Sequence, residues 1–457
     1  MERTDKGFLA RYFDSRSDKG FFARYFNFQA EGTSYRAEII GGVTTFLAIS
    51  YIIFVNPEVL GDAGMEKGAV YTATVLSMII GCLLMAFVAR YPMAIAPSMG
   101  LNAYFSYSVV IGMGISWETA LTGTLFSGII FVFITLFKIR ELILNIIPQS
   151  LKVANACGLG LFIAFIGLQG SGIIVDNEAT LVTLGNLTVP TTALTIFGLI
   201  LTFFFMVRRI PGAIFLGMAA TSILGILTGV IQPPSSIISH VPSIAPIFGV
   251  AFTNIFTSPA EVFTPHLAIV VITFLIVEFF DTAAALIAVA TYAGFINDKG
   301  EIRHANRALF SDASSILAGA TVGVSPTSVL IESTTGIESG ARTGFSTLIV
   351  AILCCFALFF SPLLQVVTPN VTAPALIVLG ILMLSEARHI DWSRLENSIP
   401  AFFTMIMMPL TYNIAVGTAL GLMLYPTIMF FQGRAREVHA LLYVLFVIFL
   451  LYFVFLV

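Results

Sequence analysis

The residues of this sequence best able to do chemistry are carboxylates that lie inside long apolar segments. Glu278 and Asp281 stand three positions apart in one such segment, so on a helix they share a face. Two like charges repel strongly in a low dielectric, and we expect at least one of the pair to hold a proton near neutral pH. Such a carboxyl can carry a proton across a membrane or accept a hydrogen bond from a substrate N–H. A structural role, with each acid bonded to backbone or hydroxyl groups, is the alternative, and it weighs more for Asp281.

Two polar interruptions of apolar segments accompany these acids. Residues 96–102 read Ala-Pro-Ser-Met-Gly-Leu-Asn, and residues 323–328 read Gly-Val-Ser-Pro-Thr-Ser. If each break starts a half-helix, free backbone N–H groups and a positive dipole end point at a cavity. Breaks at matching places in two halves of a chain are typical of a transporter site near the bilayer midplane. Gly and Pro are also common in membrane helices generally, which is the alternative interpretation.

The acids and the breaks together describe a type of ligand. Glu278 and Glu332 offer hydrogen-bond acceptors, and the half-helix amides and Asn102 offer donors. This combination suits a planar, uncharged molecule with alternating N–H and C=O groups, and a nucleobase fits that description. Amino acids and inorganic anions fit less well, because no cation lies within the predicted spans. Asp312, another acid in an apolar segment, is interpreted as structural and bonded to neighbouring serines.

Composition places these residues in a membrane. The chain has 457 residues, of which 58% are hydrophobic and 10% charged, and its net charge is -3. A soluble domain needs about 25% charged residues to cover its surface, so we expect the lipid bilayer to be the solvent. A net charge near zero argues against nucleic acid as a partner. No group of His and Cys has metal-ligand spacing, so we predict neither a metal nor a cofactor, and no enzymatic activity.

The apolar segments predict an all-α membrane protein with fourteen spans. They lie at 39–57, 69–89, 93–111, 117–137, 147–175, 189–207, 211–232, 266–296, 305–322, 326–340, 343–366, 372–386, 398–411 and 412–432. With the N-terminus in the cytoplasm, only Lys67 of the 22 Lys and Arg residues falls on the outer side. This asymmetry predicts a multi-pass protein of the plasma membrane, the inner membrane in a bacterium.

The long polar connection at 233–264 divides the spans into two sets of seven. An odd number in each set turns the second upside down relative to the first, which predicts two inverted repeats with interrupted spans three and ten. Outside the repeats, residues 1–35 form a basic arm in which 5–13 and 18–26 repeat one pattern. An interfacial helix and a flexible tail are equally compatible with this arm. The apolar run 439–457 is expected to insert in the membrane and pack beside the last spans.

At these residues the chain resembles the nucleobase–cation symporters, in the AzgA-like branch of adenine, guanine and hypoxanthine permeases. The likeness runs from Arg36 to Gly433 and rests on several motifs in order. They include Gly-Val-Thr-Thr-Phe-Leu at 42–47, Tyr-Ile-Ile-Phe-Val-Asn-Pro at 51–57, Met-Gly-Leu-Asn-Ala-Tyr-Phe at 99–105, Phe-Asp-Thr at 280–282, Ala-Asn-Arg-Ala-Leu at 305–309, Arg-Thr-Gly at 342–344 and Met-Met-Pro-Leu-Thr at 407–411.

The resemblance implies proton-coupled purine uptake by alternating access between a core and a gate domain. The implied parts are a cytoplasmic arm (1–35), the core domain (36–138 and 265–366), the gate domain (139–232 and 367–432) and an added C-terminal segment (433–457). Glu278, Glu332 and Asn102 match the family's site positions. The expected substrate contacts are Glu278, Glu332, Asn102, Gly100, Thr282, Thr327 and Ser328, and the expected proton-coupling residues are Glu278, Asp281 and Glu332. A homodimer is compatible with the sequence.

The chain also departs from the branch pattern around the expected pocket. The branch usually has Gly-Thr at the Ala284-Ala285 positions, Gly at Ser98, Tyr at Leu330 and Asp at Glu278, and Pro326 interrupts its Thr/Ser stretch. The choice among purines is therefore open. A transporter of the same fold for a pyrimidine, another heterocycle or an anion is an alternative, as is a passive channel. An intramembrane hydrolase is disfavoured, because no predicted span contains a His well inside it.

Overall fold

The structure is a computed structural model that describes residues 20–137, 147–296 and 302–455. Within these residues, nine helices are long and apolar enough to cross a membrane. They are Tyr35–Asp62, Lys67–Ala89, Trp117–Leu136, Gln149–Gly170, Pro190–Val207, Pro265–Ala293, Gly344–Val366, Pro369–His389 and Ile414–Phe431. Five segments that are shorter, interrupted or more polar lie between them: 95–112, Ala213–Leu227, Ala305–Val322, 327–338 and Leu395–Thr411.

Numbered in chain order, these fourteen segments are spans one to fourteen, and they confirm the predicted fold. Seven precede the long connection at 228–264 and seven follow it. The connection contains the short helices Val250–Thr257 and Pro259–Val262. Span five ends at Gly170, five residues earlier than predicted, because the chain then turns into a hairpin of strands Ile174–Asn177 and Leu181–Leu184.

The predicted breaks in spans three and ten meet as a pair of antiparallel strands. Ile95–Pro97 (β1) pairs with Thr327–Val329 (β2), and Ala96 lies opposite Ser328. Two further backbone bonds, from Ser98 N to Pro326 O (3.0 Å) and from Leu330 N to Ala94 O (3.1 Å), extend the pairing. Irregular backbone is tolerated at membrane depth only where its N–H and C=O groups find partners inside the protein. Each break therefore supplies the partners that the other needs.

Short half-helices continue both interrupted spans beyond their strands. Span three continues as helix Met99–Ala103 and then as the wider π-type helix Tyr104–Gly112. Span ten continues as helix Ser333–Glu338. Because the paired strands are antiparallel, the two half-helices leave the crossing in opposite directions, as inverted repeats require.

The remaining spans pack as two groups that meet at this crossing. Spans one, two, four, eight, nine and eleven pack on one another and on the strands. Spans five, six, seven, twelve, thirteen and fourteen form the second group. In the second group, glycines let backbones touch: a Cβ on Gly160 of span five would lie 2.6 Å from Met383 Cβ and 2.9 Å from Gly380 O.

The described part of the N-terminal arm packs on the protein itself. Phe21–Tyr25 is a short helix, and Phe26 and Phe28 are buried around Phe345 of span eleven. The Arg90 guanidinium lies 4.3 Å above the ring of Tyr25. Part of the aromatic face of the arm is therefore buried against span eleven, while Phe21 and Phe22 stay exposed. The first copy of the repeat, 5–13, lies outside the described residues.

The apolar run at the C-terminus packs beside the last span, as expected. Helix Ala440–Phe455 lies along Ile414–Phe431, and Leu442 and Phe449 are buried in a cluster with Leu422 and Met429. That this helix crosses the bilayer stays a prediction.

We predict that Gly160→Ala lowers the stability of the second helix group. The added methyl meets Cβ and backbone atoms that cannot rotate away, and overpacking of this kind costs about 1–3 kcal/mol. The apparent Tm of the purified protein in detergent measures the effect. Gly170→Ala, in the same helix but with no atom within 4 Å of its added methyl, is the control and should leave the Tm nearly unchanged. Equal Tm values for the two variants would contradict this account of the packing.

Candidate functional site

A chain of hydrogen bonds ties spans eight and nine to the second break. The Thr282 hydroxyl donates to Asp312 Oδ2 at 2.7 Å and lies 3.3 Å from Ser328 Oγ. The amide N of Val329 donates to Asp312 Oδ1 at 3.2 Å. These bonds give Asp312 a structural role, as predicted, but they reach span eight and the second break and not only its own span. Its carboxylate fixes the strand of span ten against span eight.

The two acids of span eight have different surroundings. Glu278 is buried in the first helix group, and its Oε1 lies 3.4 Å from the Thr282 hydroxyl. Asp281 is only partly buried, and its Oδ2 accepts a 2.9 Å hydrogen bond from Ser98 Oγ. Ser98 holds the N-cap position of Met99–Ala103 but makes no side-chain cap bond there. Its hydroxyl joins the first break to span eight instead.

The acid of span ten is held from span one. Tyr51 is fully buried at the bend of span one, and its hydroxyl donates to Glu332 Oε1 at 3.0 Å. The predicted helical segment 326–340 starts later in the structure, because Glu332 lies at the N-cap of Ser333–Glu338. The strand Thr327–Val329 takes up the residues that the prediction gave to helix. Tyr51 begins the motif at 51–57, but its role could not be predicted, because an aromatic residue in an apolar span is common.

The remaining predicted site residues of the breaks bond mainly within the protein. Asn102 is fully buried, and its amide Nδ2 donates to Asn56 Oδ1 at 2.9 Å, while Asn56 Nδ2 donates to Thr74 Oγ1 at 2.7 Å. The expected donor of Asn102 is therefore engaged, and its buried Oδ1 is the atom that remains open. Thr327 Oγ1 lies 2.8 Å from Ser315 Oγ of span nine.

A small, partly open cavity lies where the two helix groups meet. Its wall has two polar side chains, Asp281 from span eight and Asn155 from span five. The other lining residues are apolar: Ala156, Leu159, Val277, Met383 and Ile414. A mostly apolar cavity with a few placed polar groups is typical of a small-molecule site. Sequence analysis missed Asn155, since a single Asn in a predicted span carries no pattern.

Gly100 sets how closely the groups approach at this cavity. A Cβ on Gly100 would lie 2.1 Å from Leu159 Cδ2 and 2.7 Å from Leu159 Cγ. The half-helix of span three therefore reaches span five only because position 100 has no side chain. Gly100 acts here as a packing residue next to the cavity.

A second junction between the groups lies on the side predicted to be external. Tyr107 at the end of span three donates to Asp62 Oδ2 at 2.7 Å, and its ring stands edge-on to Tyr412. Ser108 Oγ donates to the carbonyl of Tyr412, and the Tyr412 hydroxyl donates to Gln169 at the end of span five. The two groups are thus bonded on one side of the cavity.

Two inverted sets of seven spans, broken helices that cross, and a cavity between two helix groups define a membrane transport protein. Comparison with known proteins agrees, because a family model described as "Permease family" matches residues 36–420. The chain belongs to this family, whose members are transporters and not enzymes.

Individual relatives cover nearly the whole chain. The guanine/hypoxanthine permease PbuG of Bacillus subtilis is 51% identical over 438 residues, which is 94% of this chain and 98% of the relative. The adenine permease AdeQ of Escherichia coli is 39% identical over 409 residues, 89% of this chain and 90% of the relative. Among solved structures, the transmembrane domain of the cyanobacterial bicarbonate transporter BicA has a TM-score of 0.64 at 15% identity. It covers 83% of this chain and 97% of that domain, and it shows the shared fold.

We predict that Gly100→Ala impairs transport and that Leu159→Ala restores it in the double variant. The added methyl displaces Leu159 into the cavity, and all three of its nearest atoms belong to that side chain. Uptake of labelled hypoxanthine, a solute named for the Bacillus relative, measures the effect in cells with equal amounts of each variant. Normal uptake by Gly100→Ala, or a double variant as impaired as the single one, would contradict the role of this contact.

Proposed function

We propose that this protein is a secondary active transporter that takes up purine nucleobases, such as guanine, hypoxanthine and adenine, together with protons. The observation that carries the proposal is the cavity between the helix groups, which combines one carboxylate, one amide and apolar walls. A flat, neutral heterocycle with N–H and C=O groups matches such walls. Among such heterocycles, a purine is supported by the relatives named as guanine/hypoxanthine and adenine permeases.

The chemistry of the wall disfavours an anionic solute. Asp281 lines the cavity, and none of its described lining residues is Lys, Arg or His. An anion would face a carboxylate without a compensating cation, which is costly in a low dielectric. The bicarbonate transporter that shares the fold therefore supports the architecture and not the solute.

Three acids are proposed to couple transport to protons. Asp281 lines the cavity, Glu278 is buried three positions earlier in the same helix, and Glu332 is bonded to Tyr51 at the end of the second break. Acids inside a membrane are costly and typically mark ion or proton pathways. In our proposal the base donates an N–H to one carboxylate, while a neighbouring acid takes up a proton. The base and the proton are then carried together.

Movement of one helix group against the other is proposed to expose the site alternately. The first group corresponds to the expected core domain, 36–138 and 265–366, and the second to the expected gate domain, 139–232 and 367–432. They touch at Gly100 and Leu159 beside the cavity and at Tyr107 and Tyr412 on the side proposed to be external. Opening towards that side requires the hydrogen bond from Ser108 Oγ to the Tyr412 carbonyl to break. We propose that the protein lies in the plasma membrane with its N-terminus in the cytoplasm. The distribution of Lys and Arg supports this orientation.

We predict that Glu278→Gln and Glu332→Gln each abolish uptake of labelled purines while the protein stays in the membrane. Each change keeps the side-chain shape but removes a protonatable group from a buried network. Glu178→Gln, in the exposed turn between the hairpin strands, is the matched control and should transport normally. Retained binding of the base without accumulation would assign the residue to proton carriage alone. Uptake at the wild-type rate by either variant would remove that residue from the proposed site.

We also predict that accumulation depends on the proton gradient and not on sodium. Acids inside membrane spans typically mark proton pathways, and the described residues contain no group of three or more His, Cys, Asp or Glu side chains that could hold a metal ion. Uptake of labelled hypoxanthine into vesicles, with a pH gradient imposed and then collapsed by a protonophore, tests the dependence. Accumulation should stop when the gradient collapses. Accumulation that persists and follows an imposed sodium gradient would contradict proton coupling.

A further inference from the structure

Asn155 is the polar residue that the second helix group contributes to the wall of the cavity. It lies in span five, four positions before Leu159, so both side chains are on the face that meets the first helix group. Its side chain is buried, with 6% of its surface exposed. A buried amide is costly unless its donors and acceptor find partners, so the partners of Asn155 decide what it can do.

The acceptor atom of this amide is already used within the protein. The Thr418 hydroxyl of span fourteen donates to Asn155 Oδ1 at 2.8 Å. Other threonines of these helices, such as Thr202, Thr221 and Thr404, donate to the backbone carbonyl four residues earlier in their own helix. Thr418 instead holds the Asn155 side chain in one orientation. Thr418 lies one turn beyond Ile414, which itself lines the cavity.

This orientation leaves the Nδ2 group of Asn155 as a donor. Among the described residues, no protein atom accepts a hydrogen bond from it; Thr418 is the hydrogen-bonding partner of the side chain. The other polar side chain of the wall, Asp281, is an acceptor when it is ionised. The cavity therefore presents a carboxylate from one helix group and an amide N–H from the other.

We propose that Asn155 contacts the substrate and selects a base with a lactam edge, in which a ring N–H adjoins a C=O. Asp281 accepts from the ring N–H, and Asn155 donates to the carbonyl oxygen. In a 6-oxopurine such as hypoxanthine or guanine, N1–H and O6 supply this pair. The corresponding edge of adenine carries an acceptor N1 and an amino group, which reverses both partners. This inference rests on the proposed purine transport and adds a residue and a substrate class to it.

The test measures uptake of labelled hypoxanthine in the wild type and in Asn155→Asp, with unlabelled hypoxanthine or unlabelled adenine added as competitor. The selectivity ratio is the apparent affinity for hypoxanthine divided by that for adenine. Aspartate keeps the shape of the side chain and an acceptor for Thr418 but removes the N–H donors. We expect the apparent affinity for hypoxanthine to fall about tenfold, because a buried carbonyl loses its partner. Competition by adenine should fall less, so the selectivity ratio moves towards adenine. A defect in folding alone would lower uptake without moving this ratio.

Two further variants keep the proposal testable. Thr418→Val retains Asn155 but frees its amide to rotate, and we expect a smaller shift of the ratio in the same direction. Asn397→Asp is the control, since Asn397 also accepts from a hydroxyl, that of Ser150 at 3.0 Å, but does not line the cavity. An unchanged ratio in both Asn155→Asp and Thr418→Val would overturn the proposal. Failure of the wild type to transport either base would instead contradict the proposed function.

Discussion

The constraint on which this structure depends is that backbone N–H and C=O groups inside a bilayer must find partners within the protein. Spans three and ten lose their helical hydrogen bonds locally, because Pro97 and Pro326 interrupt the helices. The antiparallel pairing of Ile95–Pro97 with Thr327–Val329 satisfies much of the exposed backbone. Since neither break can be satisfied alone, the two halves of the chain must meet at this point.

The polar side chains of the site follow from that meeting. Asp312 receives the amide of Val329 and the hydroxyl of Thr282, so span eight is fixed relative to the second break. Ser98 reaches Asp281 from the first break. The acids that could carry protons are therefore attached to the crossing, while Asn155 belongs to helices that contact it through Leu159. In our account, movement between these helices brings the carboxylate and the amide together on one base or separates them.

Much of this fold could be predicted from sequence, because hydrophobic length and the distribution of Lys and Arg are strong signals in a membrane protein. These signals predict the spans, and the matching Pro, Ser and Gly residues at 96–102 and 323–328 predict the paired breaks. The partners of single polar residues could not be predicted, because they come from distant parts of the chain. Asn102 bonds to Asn56, Glu332 to Tyr51 and Asn155 to Thr418, which is 263 positions away. A hydrophobic pattern holds no information about such pairs, and the secondary structure at Glu332 depends on strand pairing with residues far away.

The central claim is that a purine base binds in the cavity between the two helix groups. Its most direct test is an experimental structure of the protein in a lipid nanodisc with saturating hypoxanthine. The account predicts density for a planar ring between spans five and eight, with ring nitrogen atoms within hydrogen-bonding distance of Asp281. If hypoxanthine binds but the ring density lies elsewhere, away from the crossing of spans three and ten, the proposed binding site is wrong.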